Sequence, residues 1–201
     1  MTVRIHGSAS VLSFEADTHV YRVGERELPS VTTVLKEAGL IDVTWFSEGA
    51  AERGRAVHAA IHLDTRGDFD PVFLEAGYLG YLEAYRRFMR EGGFRVDASE
   101  EPLHDLVLGF AGTLDLRGGF DDADAVGYTD IIDIKTGSLP NWVGYQTAAY
   151  AQLFSVGRRY RRWALRLMSD GKYQLRPLTK TTDIHVFLAA LTVVKAKRGE
   201  M

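Results

Sequence analysis

The chain contains no cysteine. Disulfide staples and thiolate metal ligands are therefore excluded, and so is an iron–sulfur cluster held in the usual way by cysteine. No apolar run approaches the ~20 residues that a helix needs to cross a bilayer. The opening residues, MTVRIHGSAS, lack the basic start and apolar stretch of a secretory signal, so a cytosolic setting without a membrane partner is expected. Charge of one sign is also scarce: 24 Lys+Arg stand against 27 Asp+Glu, for a net charge of -3. The total does not advertise a nucleic-acid binder, although clustering matters more than the sum. There is no glycine-rich P-loop signature and hence no nucleotide-driven motor. Internal repeats, low-complexity segments and linkers are absent too, so residues 1–201 are expected to form one domain.

What is present centres on the stretch from Gly112 to Tyr150. Phe110 to Leu116 and Tyr128 to Lys135 are rich in branched and aromatic residues and are predicted strands, joined by a turn-rich segment. Each carries an acid in an apolar setting, Asp115 on the first and Asp133 on the second. Alternation places Asp133 and Lys135 on one face, with Ile132 and Ile134 on the other. Charges buried in this way are costly unless paired or bound to metal. Two acids and a lysine converging on paired strands suit metal-dependent phosphodiester hydrolysis, although a D-x-K run also occurs as a plain ion pair.

The rest of the chain supplies flanking elements. A small hairpin is expected over Val11 to Phe14 and Val20 to Val23. Ser30 is a predicted cap for a helix reaching Ala38, and Ser47 starts a longer one. On that second helix Ala50, Gly54, Val57, His58 and Ile61 form a stripe, which turns His58 inward, and Gly54 gives room for a close neighbour. A helix over Ala76 to Gly92 and a strand from Phe94 to Leu103 follow. On that strand alternation sets Glu101 to project toward Asp115 and Glu100 the other way, with an exposed edge charge the alternative for either. Asp121, Asp122 and Asp124 lack calcium-loop spacing and are taken as a solvated turn. Gln146 and Tyr150, four apart on a helix after Pro140, share a face and suit a ligand. Arg158, Arg159, Arg161, Arg162 and Arg166 crowd around Tyr160 and Trp163, a pattern suited to phosphate contact and base stacking, with a solvated strand edge as the alternative. Trp163 to Met168 and Tyr173 to Leu178 form a predicted hairpin, and Thr181 or Thr182 caps a last helix.

Taken in order, Gly54-Arg-Ala-Val-His58, Gly112-Thr-Leu-Asp115, Asp133-Ile-Lys135-Thr136 and Gln146-Thr-Ala-Ala-Tyr150 resemble the motifs of the RecB-type branch of the PD-(D/E)XK nuclease superfamily. The opening LPSVTTVL is similar to phage-encoded members. The resemblance covers about half the chain. It implies a restriction-endonuclease-like α/β core, a central mixed sheet flanked by helices. It also implies that His58, Asp115, Asp133 and the backbone carbonyl of Ile134 are metal ligands, with Glu101 a further candidate. Lys135 is implied to orient the attacking water, while Gln146 and Tyr150 position the scissile strand.

The oxygen-and-imidazole ligand set suits Mg²⁺ or Mn²⁺. The expected activity is hydrolysis of DNA by an exonuclease of phage-type recombination or repair, in bacterial or phage-infected cytosol. A structure-specific or restriction-like endonuclease is the alternative enzyme, and a non-catalytic nucleic-acid-binding subunit the alternative of another class. Members of the branch act alone or as rings, so a homo-oligomer and a recombination partner protein are both compatible with the resemblance.

Overall fold

The computed structural model describes residues 12–15, 20–42, 47–122, 127–154 and 159–200. A small antiparallel sheet comes first, β1 (Leu12–Glu15), β2 (Val20–Val23) and β3 (Arg26–Leu28). Helix α1 (Val31–Glu37) follows, capped as predicted by Ser30, whose hydroxyl accepts from the Thr33 N–H. Helix α2 (Glu48–Arg66) is capped likewise by Ser47 and closed by Gly67 in a left-handed conformation. The helix expected from Ala76 begins as a tighter 3-10 turn, Ala76–Tyr78, and becomes α-helical as α3 (Leu79–Glu91).

The main sheet has five strands: β4 (Phe94–Asp105), β5 (Phe110–Phe120), β6 (Tyr128–Lys135), β7 (Arg159–Leu167) and β8 (Tyr173–Pro177), adjacent in that order. All neighbours are antiparallel except β6 and β7. A parallel pair needs a crossover, and helix α4 (Trp142–Gln152) provides it. Helix α5 (Asp183–Arg198) ends the fold; Thr182 stands at its cap position without a side-chain capping bond. The architecture is the expected mixed sheet flanked by helices. β5 runs four residues beyond its predicted end at Leu116, and Asp124 lies outside the described residues. Among those residues, no helix is long and apolar enough to cross a membrane.

Apolar clusters fill both faces of the sheet. Val57, Ile61, Leu82 and Phe88 from α2 and α3 pack on Leu116, Ile132 and Ile134. Val31, Tyr150 and Phe187 from α1, α4 and α5 pack on Phe110, Leu114 and Ile131. Leu114 and Leu116 are two apart on one strand and by alternation would share a face. They lie in opposite clusters instead, so the alternation of β5 breaks at Asp115. The small sheet packs Tyr21, Val23 and Leu28 against Ala111 of the same strand.

Candidate metal centre

The site forms where β5 and β6 part. Their ladder consists of Gly118↔Asp130, Arg117↔Ile131 and Leu116↔Ile132, and goes no further. Beyond it the Asp115 side chain takes over: its Oδ2 accepts the Ile134 N–H at 2.6 Å. Burial opposes the Asp115 charge, but His58, Lys135 and that N–H hold its pKa below the usual carboxylate range.

His58 reaches this point from α2. Its Nε2–H donates to the Ile134 carbonyl at 3.1 Å. Its Nδ1 lies 3.4 Å from Glu100 Oε1 and 3.4 Å from Asp115 Oδ1. Burial alone would depress the imidazole pKa; Asp115 and then Glu100 overcome it and hold the pKa well above the ordinary value. Ligand atoms of His58, Glu100 and Asp115 lie within 4.8 Å of one another.

The acid contributed by β4 is thus Glu100, which corrects the expectation of Glu101. The pairs Ser99↔Leu116 and Glu101↔Leu114 set Glu100 opposite Asp115. Glu100 has a left-handed backbone, φ 48°, which breaks the alternation on which the prediction rested. Ser99 and Glu100 therefore both reach α2, through His62 Nδ1 at 2.7 Å and His58 respectively. Glu101 turns to the other side and holds Arg117 through two contacts of 2.7 and 3.0 Å.

β6 carries two fully buried aspartates with opposite circumstances. Asp130 accepts from Phe120 N–H, Trp163 Nε1 and twice from Arg161, all within 3.2 Å. Neither Asp133 oxygen has a properly directed hydrogen bond. Lys135 Nζ approaches Asp133 Oδ2 to 2.6 Å as an ion pair only. Burial, with Asp115 adding, raises the Asp133 pKa to about 6 against the pull of Lys135. Asp133 is buried with Lys135 as its ion-pair partner and lies beside a cluster of ligand atoms, a setting that suits a metal cation. The donors, carboxylate oxygens and one imidazole, fit a hard divalent ion.

Lys135 is steered from α4. Its Nζ donates to Gln146 Oε1 at 3.2 Å, and Gln146 Nε2 donates to Tyr150 Oη at 2.9 Å. Burial raises the Tyr150 pKa well above the ordinary value, with Asp115 and Asp133 adding, so the phenol stays neutral. Gly112 makes room for that ring: a Cβ there would lie 2.7 Å from Tyr150 Cε1. The space around Gly54 is open, with nothing within 4 Å of a Cβ, rather than filled by the close neighbour expected.

The predicted arginine surface does not form as one unit. Arg158 lies outside the described residues. Arg159 is exposed, over the Tyr128 ring. Alternation sends Arg161 and Arg162 to opposite faces of β7, where each braces the fold. Arg161 holds Asp130 and Asp122, while Arg162 holds Asp183 at 3.1 Å and the Gly144 carbonyl at 2.7 Å.

One further neighbour carries no local sequence signal. Tyr21 Oη lies 2.7 Å from Thr113 Oγ1, two residues before Asp115. Burial pushes its pKa up to about 12, and Glu100 and Asp115 add to the rise.

Comparison with known proteins finds no matching family model and no matching curated protein. Among solved structures, a Eubacterium rectale protein provisionally assigned as an exonuclease is similar at 14% identity and a TM-score of 0.49, over 84% of this chain and 74% of that one. An alkaline exonuclease of Laribacter hongkongensis is similar at 17% identity and a TM-score of 0.33, over 85% of this chain and 93% of that one. Likeness at these values carries no functional argument, and the reading below rests on the site.

Proposed function

We propose that this chain is a Mg²⁺- or Mn²⁺-dependent deoxyribonuclease of the PD-(D/E)XK type, acting as an exonuclease in phage-type recombination or repair. The observation that carries the reading is the His58–Glu100–Asp115 cluster with the buried Asp133–Lys135 pair beside it. His58, Glu100 and Asp115 would hold the cation, with Asp133 and the Ile134 carbonyl at its side. When bound, it supplies Lewis acidity to the phosphate and lowers the pKa of nearby water. Water adds to phosphorus, the P–O bond to the leaving nucleotide breaks, and a phosphate monoester and a hydroxyl result. Lys135 sits beside Asp133 and is held by Gln146 and Tyr150, so its ammonium is preorganised for the attacking water or the developing negative charge.

The test is electrophoresis of linear and covalently closed circular DNA with and without Mn²⁺. Metal-dependent loss of linear DNA alone is expected. Cutting of circles would make the chain an endonuclease, and binding without cutting under every metal condition would make it a non-catalytic subunit.

A further inference from the structure

We infer that Arg166 and Arg176 form a track for backbone phosphates of the strand being cut, leading from Lys135 to the β8 edge of the sheet. The inference rests on the nuclease reading above and says where the substrate lies.

Most partly buried arginines of this fold are neutralised. Arg86, Arg117, Arg161 and Arg162 each hold a carboxylate. Arg166 and Arg176 differ. Among the described residues neither has a carboxylate partner, and the Nε of each is buried without an acceptor. Arg176 has one bond, from Nη2 to the Leu139 carbonyl at 3.2 Å. With no carboxylate beside them, the two guanidinium charges are left uncompensated and suit an incoming anion.

Register ties the two to the reaction centre. Lys135 pairs with Arg166 across β6 and β7, and Arg166 pairs with Gln174 across β7 and β8. Arg176 faces Ala164, two residues from Arg166, on the same side of the sheet. Neighbouring strands lie ~4.8 Å apart and diagonal neighbours ~7–8 Å. The three positions therefore form a row across that face of the sheet, from β6 to β8.

Arg176, the last of the row, lines a cleft of about 240 Å³ beside the first turn of α4, together with Asn141, Tyr145 and Lys180. Its one acid, Asp183, is already neutralised by Arg162. Cations with a half-buried tyrosine in the same cleft suit an extended single strand, with phosphates on the charges and a base against the ring.

The experiment measures binding of fluorescent single-stranded DNA to the full chain in Ca²⁺ across a salt series, with steady-state cleavage in Mn²⁺ alongside. Arg166→Gln with Arg176→Gln should weaken binding at least tenfold near 0.1 M salt. It should also reduce the slope of log affinity against log salt by about 1.4, as for two lost phosphate contacts on a single strand. KM should rise with kcat little changed. Lys at both positions should restore the slope. Arg159→Gln, at the other end of β7, should leave the slope reduced by less than one contact. An unchanged slope in the double Gln variant overturns the track. So does equal loss in the Gln and Lys variants with a lowered melting temperature, which would make the pair structural. A defect confined to terminally phosphorylated oligonucleotides overturns it as well, since the seat would then hold a strand end. Binding with the expected slopes but no cleavage by the wild type sinks the nuclease reading and leaves the track; cleavage with an unaffected slope does the reverse.

Discussion

Glu100 has the least ordinary backbone of the site. Its φ of 48° is the only left-handed value at a non-glycine among the described residues. Such a conformation costs on the order of 1–3 kcal/mol and persists where its surroundings hold it. Asparagine tolerates that backbone better. Glu100→Asn should therefore keep or raise the melting temperature while weakening Mn²⁺ binding by about tenfold or more, read by calorimetric titration. Glu101→Gln should do the reverse, loosening the Arg117 pair and leaving the titration unchanged; swapped outcomes would return the ligand role to Glu101. Lys135 poses a similar choice between chemistry and charge balance. Lys135→Ala should retain metal and lower single-turnover cleavage by ~10²–10³, with Lys135→Arg a poor rescue. An unstable alanine variant restored by arginine would reduce Lys135 to the counter-ion of Asp133.

At the level of elements, the close passage of α4 over β5 sets the position of Lys135 through Tyr150 and Gln146. Gly112→Ala would force its Cβ into the Tyr150 ring, and both sides are confined, since Tyr150 is buried and Val31 lies 3.1 Å from the same point. The expected cost is about 1–3 kcal/mol, with turnover lost as the Gln146–Lys135 contact shifts. Tyr150→Leu should recover part of the stability and none of the rate, a coupling that a double-mutant cycle measures. Much of this geometry was legible in the chain itself. Ser30 and Ser47 announce their helices because capping is local. Asp133, Lys135, Gln146 and Tyr150 follow strand and helix periodicity without interruption. Legibility failed where periodicity breaks at Glu100, whose left-handed backbone reverses which of two adjacent acids faces Asp115. It failed again for Arg161 and Arg162, whose partners Asp130 and Asp183 lie more than twenty residues away in the chain.

For the molecule as a whole, the small N-terminal sheet is coupled to the candidate metal centre through Tyr21. Its pKa, pushed from 10.0 up to about 12 chiefly by burial, makes folding favour the protonated phenol. That stability is fully present below pH 10 and is lost as pH rises through about 12, a change of about 3 kcal/mol. Urea unfolding between pH 9 and 12 should show this fall, and Tyr21→Phe should flatten it, with the remaining slope owed to Tyr150 and Tyr85, whose pKa values are also raised. An identical fall in the variant would separate the small sheet from the alkaline transition. β5 serves both halves of the molecule, Leu114 anchored in one and Leu116 in the other, with Asp115 at the crossing. A chain with only one half assembled cannot bring Asp115 to His58 and Glu100 together. On the nuclease reading proposed above, the centre would inspect its own construction: a half-made copy could not be armed, and an agent able to destroy genetic material would stay harmless until complete.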